Sequence, residues 1–226
     1  LRTEQAAVLR SDQIRALSTE QIQAVETADL AAMTTAAVTG LSSSQVQSLT
    51  TAQISKLTET QVAAMTTAQV KALNGEQVGA LRTDQVAALK SDQIAALDSG
   101  DIDALTTSQI VALSSVQLSA MTTAQLSQMT DAKVQAIDAA DLPGLTTSQV
   151  IGLTNEWIVA LSTAQAASLK PAQVAALTTQ QLQAIEPRDL AVMDSAQIRA
   201  LTTSQVAALT GDQEASLTTA QLAAMT

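Results

Sequence analysis

A hydrophobic residue recurs at every eighth position of this chain, and that one period excludes most ordinary folds. Stepping by eight from Leu1 reaches Leu9, Leu17, Val25, Met33, Leu41, Leu49, Leu57 and Met65, then continues without a slip to Leu217 and Met225. Twenty-eight octads fit into the 226 residues with no insertion or deletion. A fixed short period of this kind is the signature of a repeat architecture. The spacing therefore predicts a single uninterrupted array over residues 1–226, with no domain boundary or linker. Opening and closing inside the pattern, the sequence reads as a piece of a longer array.

The octad consensus is Leu, Thr/Ser, Thr/Ser, any residue, Gln, Val/Ile/Leu, any residue, Ala, as Leu201-Thr202-Thr203-Ser204-Gln205-Val206-Ala207-Ala208 shows. Position one is always Leu, Met, Ile or Val. Position six is aliphatic except at Ala6, Ala166 and Glu214. Position eight is mostly Ala, otherwise usually Gly or Ser, which predicts close approach of a neighbouring backbone.

Three structures share this period. A continuous helix fails on geometry: eight residues overshoot two turns by roughly 80°, so the leucine column would spiral around the helix. A β-solenoid wants Gly, Asn or Asp at its corners, yet the chain has seven glycines in all, and Ala and Gln form strands poorly. The third structure is a short helix in each octad, broken and restarted, and the sequence marks its start. Thr, Ser, Asp or Asn fills position two in most octads, with Gln or Asp three residues later. That is the capping box, in which the hydroxyl accepts one early N–H and the Gln side chain reaches back to another. Pro171 and Pro187 both fall at position three, the first helical residue, where proline costs least.

The expected fold is therefore all-α: a tightly wound α-solenoid of 28 octapeptide repeats with one short capped helix per octad. Positions one, six and eight should face the core, and positions three, four and seven the solvent. Repeated amides at position five should hydrogen-bond between successive turns besides capping their own helices. One octad cannot offset its own ordering entropy of roughly 1–2 kcal/mol per residue, so stability must come from stacking on neighbours. Met33, Met65, Met129, Met193 and Met225 are separated by multiples of 32 residues, while Met121 is not, a weak pointer to four octads per superhelical turn.

Composition narrows the chemistry. The chain has no His, Cys, Phe or Tyr and a single Trp, so the core must be thin and aliphatic. With no His or Cys, and no glycine-rich phosphate loop, its many hydroxyls have no base to activate them. We expect no enzyme, no catalytic residue and no cofactor. Eleven scattered basic residues and a net charge of −10 argue against nucleic acid. No run of roughly 18 apolar residues argues for membrane insertion.

A few octads depart from the pattern. Wherever Asp replaces Gln at position five, position two is acidic: Glu26 with Asp29, Asp98 with Asp101, Asp138 with Asp141, and Glu186 with Asp189. Hard oxygen ligands suit calcium, and Asp98, Asp101 and Asp103 form the best local candidate. Without an EF-hand glycine-and-glutamate pattern, capping of the helix N-terminus is the stronger reading, and no metal ligand is assigned. Trp157 should be a partly exposed aromatic that covers its neighbours. Pro143-Gly144 predicts a local bend or an early helix end. Glu214, at a core position, predicts a loosened octad. The threonine rows raise ice binding, but stacked helices lie about 8–10 Å apart, twice the strand spacing of a β-solenoid ladder.

The array resembles the L-T-T-x-Q-V-x-A-L repeats of very large bacterial secreted and surface proteins of adhesin type. That resemblance implies an extracellular or cell-surface location and a structural or adhesive, non-catalytic role. Leu169-Lys170-Pro171-Ala172-Gln173-Val174-Ala175-Ala176-Leu177 also looks like the helix opening of transcription-activator-like effector repeats, which implies a short capped helix and nothing about DNA. The expected function is a spacer, stalk or fibre segment of a large extracellular protein. Alternatives are a binding module whose solenoid surface takes a protein or glycan, and a filament subunit that assembles with like chains. Expected partners are thus neighbouring repeats, like chains, or that protein or glycan.

Overall fold

The computed structural model describes residues 2–225. Among them are twenty-seven α-helices and one 3-10 helix, and no strand. The α-helices are four to six residues long, one in each octad but one, as the period predicts.

Each helix starts and stops by the same local device. In the octad at 41–48, Ser42 is extended (φ −73°, ψ 161°) and its hydroxyl accepts the Gln45 N–H at 3.2 Å. The Gln45 Oε1 accepts the Ser42 N–H at 2.8 Å, closing the box. The helix Ser43–Ser48 ends when Leu49 turns extended (φ −60°, ψ 136°), its N–H donating to the Val46 carbonyl at 3.1 Å. The pair at positions one and two is therefore an extended link that reverses the chain. No described residue has a positive φ, glycines included. Left-handed corners are not needed, which is why so few glycines suffice.

Caps with no acceptor keep half of the box. Arg82 N donates to Gln85 Oε1 at 2.7 Å, and the neighbouring Asp84 supplies the missing acceptor for Gln85 N at 2.9 Å. Lys90, Gln93 and Asp92 repeat this arrangement. Pro171 and Pro187 open their helices as expected. At Pro143 the α-helix is lost, and only the 3-10 turn Leu142–Gly144 remains. Proline lacks the N–H a longer helix would use there.

The chain divides into two compact units, Leu1–Ala112 and Leu113–Thr226, and each is a helical repeat solenoid. In the first, helices pack three octads apart: Thr3–Ala6 on Thr27–Ala32, Ser11–Arg15 on Thr35–Thr39, and Thr19–Gln23 on Ser43–Ser48. In the second, Thr147–Ile151 packs on Pro171–Ala176, that helix on Ser195–Arg199, and that in turn on Thr219–Ala224. Side-chain bonds link residues 28 apart, which is three and a half octads. A turn thus takes between three and four octads, fewer than the methionine spacing suggests.

Positions one and six form the core: Ile22, Leu30, Ile54, Val134 and Leu182 at position six are fully buried, and Leu41, Leu57, Leu145 and Leu177 at position one are buried nearly as completely. Position five, expected as a capping residue, joins them, with Gln45, Gln53, Gln61, Gln165, Gln173 and Gln181 all buried. Position eight, expected in the core, is only half-buried at Ala64, Ala80, Ala88 and Ala96. It lies at the edge of the stack, against position three of an earlier octad. A Cβ on Gly40 would come within 2.6 Å of the Ser11 Cα, and Gly144 is pressed against Ser115 in the same way. The expected close approach is therefore real.

Candidate functional site: the position-five seam

The glutamine side chain at position five holds consecutive turns together. A helix of four to six residues leaves nearly all of its last carbonyls without a partner in the helix. Gln53 Nε2 donates to the Ile22 carbonyl at 2.9 Å and the Val25 carbonyl at 2.8 Å, 31 and 28 residues earlier. Gln61 does the same with Leu30 and Met33, and Gln69 with Val38 and Leu41. In the second unit Gln165 bridges Val134 and Ile137, Gln173 bridges Leu142 and Leu145, and Gln181 bridges Val150 and Leu153. One amide thus caps its own helix through Oε1 and closes the C-terminus of a helix one turn away through Nε2. Bonding between turns was expected of this column. Its partners, backbone carbonyls rather than other amides, were not.

Aspartate at position five is one methylene shorter, and three of the four turn to a different partner. Asp29 Oδ1 accepts the Thr3 hydroxyl at 2.9 Å, Asp189 Oδ1 the Thr163 hydroxyl at 2.7 Å, and Asp141 Oδ1 the Ser115 N–H at 2.8 Å. Each bond spans 26 residues and lands on position three. The other oxygen of Asp29 is buried with no hydrogen-bond partner. Residue 75, the equivalent position for Asp101, is a glycine with no hydroxyl. Asp101 instead folds back on its own cap: Asp98 N donates to Asp101 Oδ2 at 3.0 Å, and Asp101 N to Asp98 Oδ1 at 2.8 Å.

The calcium candidate thus divides. Asp98 and Asp101 serve as a reciprocal cap, and Asp103 is exposed at position seven. No group of three or more carboxylates among the described residues is placed to hold a metal ion. Burial pushes the Asp101 carboxyl above its ordinary range; the Asp98 N–H opposes that rise and the Asp98 carboxylate adds to it. The native state consequently binds the proton more tightly than the unfolded chain does. The contribution of this one group to stability is greatest below the ordinary aspartate range and is lost as pH rises through the raised folded value. Asp101→Gln is expected to remove this dependence and to place an amide opposite the Val70 and Leu73 carbonyls. Urea titrations from pH 4 to pH 8 should show the variant more stable at neutral pH by about 1–2 kcal/mol, with the difference shrinking in acid.

Trp157, expected to be partly exposed, is 3% exposed. Position five faces the seam, so an indole there is drawn inside, and its N–H is buried with no partner. Glu214 is exposed, yet the helix Gly211–Ser216 around it is complete. Leu209, which opens the same octad, is only half-buried, so the octad keeps its helix but gives up part of its core. The outer positions carry the individuality of the chain. Ile151 and Val159, at position seven of consecutive octads, are exposed by 54% and 50%. No described helix is long and apolar enough to cross a membrane.

Comparison with known families follows the same register. The model described as the ALTTAQ repeat matches residues 22–59, 56–91, 94–131 and 182–219, together more than half of the chain. Its six letters read off position eight followed by positions one to five. No curated protein matches the chain.

Proposed function

This chain belongs to the ALTTAQ repeat family, and from that premise we propose that it is a non-catalytic spacer, stalk or fibre segment of a large extracellular bacterial protein. The observation that carries the reading is where its polar chemistry goes. The glutamine and hydroxyl rows, which in another chain would be candidate ligand or catalytic groups, serve as caps and links between turns. With neither His nor Cys in the chain, the outer positions hold mostly small polar residues, alanine and scattered charges. Such a surface favours solubility over a specific contact, and a repeat stack adds length by equal steps. The extracellular assignment rests on the resemblance to secreted and surface repeats.

A protein or glycan ligand is the second reading, and Ile151 with Val159 is the observation in its favour. Extended solenoid surfaces commonly bind partners, and these two exposed side chains are the largest apolar ones in consecutive octads of a row of mostly alanine and polar residues.

The experiment is to raise antibodies against the 226-residue chain and label intact and permeabilised cells of the source organism. Versions of the parent protein that gain or lose four octads are compared in the same cells. A spacer predicts labelling of intact cells and reach from the surface that changes in proportion to octad number. Labelling only after permeabilisation would sink the extracellular role. Ligand capture that is unaffected by octad number but lost in Ile151→Ser/Val159→Ser would favour the second reading.

A further inference from the structure

We propose that residues 137–160 form a yield turn, the place where the unit Leu113–Thr226 opens first when it is pulled or destabilised. Three observations within this unit meet there. Gln149, inside the stretch, bridges Leu118 and Met121, and Gln165, just beyond it, bridges Val134 and Ile137. Within the stretch, position five is Asp141 and then Trp157 on either side of Gln149. Asp141 spends its carboxylate on the Ser115 N–H and donates nothing to a carbonyl. Trp157 stands where the register calls for a donor to the Leu126 and Met129 carbonyls, yet its own N–H is buried without a partner. A buried donor left unpaired favours any state that returns it to water.

The second observation is helical. The octad at 137–144 replaces an α-helix with the three-residue 3-10 turn Leu142–Gly144, so it also has fewer bonds of its own to lose. The third is the surface, where Ile151 and Val159 leave about half of their apolar side chains in solvent and so add little to the stack. Indole burial retains this turn in the native state, but burial is not directional. Parting residues 137–160 from the turn before them breaks fewer glutamine links than parting them from the turn after, where Gln173 and Gln181 hold the Leu142, Leu145, Val150 and Leu153 carbonyls. Local opening in proteins follows such weakly linked segments. The inference holds for a spacer and for a binding surface alike, since it rests on the seam alone. In a spacer it means that extension begins at one chosen turn instead of at random.

Hydrogen exchange followed by mass spectrometry on the whole 226-residue chain tests it. Amides in residues 137–160 should exchange about tenfold or more faster than those in 161–216 under native conditions. Equal or slower exchange in 137–160 would overturn the proposal. Trp157, the one intrinsic fluorophore, gives an independent readout in urea. Its emission should shift at lower denaturant than the loss of far-UV ellipticity, and coincident midpoints would overturn the proposal as well.

Discussion

Replacing Gln61 with alanine is expected to cost about 3–5 kcal/mol, a loss ordinarily reserved for large core residues. Gln61 Oε1 accepts the Thr58 N–H at 2.8 Å, and Nε2 donates to the Leu30 and Met33 carbonyls at 2.9 and 2.8 Å. Each bond is worth about 1 kcal/mol net, but the groups left behind are buried, and stranding a buried polar group costs more than the bond itself. The midpoint of urea unfolding measures the loss. Gln47→Ala provides the contrast: Gln47 is exposed at position seven, and a surface change of that kind stays within about 0.5 kcal/mol. Gln61→Glu separates the two halves of the amide. It keeps the acceptor for Thr58 but points a second oxygen at two carbonyls. Its carboxyl should hold its proton to unusually high pH, so the variant should be weakest at neutral pH and partly recover in acid, where one donor returns. A loss below about 1 kcal/mol for Gln61→Ala would mean that the seam follows the stack instead of holding it.

The same glutamine explains how much of this fold was legible in the sequence. Helix starts were legible because every signal lies within three residues: Ser42 and Gln45 announce their box, and Pro171 marks the first helical residue. The burial of position five was not, because glutamine is polar and its other partners lie 28 and 31 residues away. A repeat with the same residue at every step gives no pairwise clue to which step it reaches. Trp157 was misplaced for that reason: bonding between turns was expected of its row, but not that the row is buried inside the stack. The aspartate octads were legible as a class but not in their geometry, since the pairing of Asp29 with Thr3 spans 26 residues. Function was the least legible. Side chains that repeat do so to build the stack, and the few that do not repeat, such as Ile151 and Val159, are too sparse to specify a ligand.

Register, more than any single contact, should govern the response to deletion. Removing the whole octad 57–64 leaves every remaining glutamine a full set of partners. Gln69 would then lie 28 and 31 residues from Met33 and Leu30, the carbonyls that Gln61 bridges in the intact chain. Gln77 would take over those of Gln69, and Gln85 those of Gln77. The chain should lose little more than one octad's share of a stability that is nearly additive over neighbours. Removing only residues 59–62 takes out half as much chain and should do far more harm. The bonds of Gln69 to Val38 and Leu41, Gln77 to Val46 and Leu49, and Gln85 to Ile54 and Leu57 all span the cut. Each would be displaced by half an octad, so that its donor meets positions two and five instead of the paired carbonyls of positions six and one. Six bonds at about 1 kcal/mol each put the loss at about 6 kcal/mol, enough to unfold the turns beside the cut. Far-UV ellipticity and hydrogen exchange on the two deletions decide the matter. Equal damage from both would show that helix stacking tolerates slippage and that the seam does not set the register. If the shorter deletion is the destructive one, the octad is the unit in which this array can gain or lose length without losing its fold.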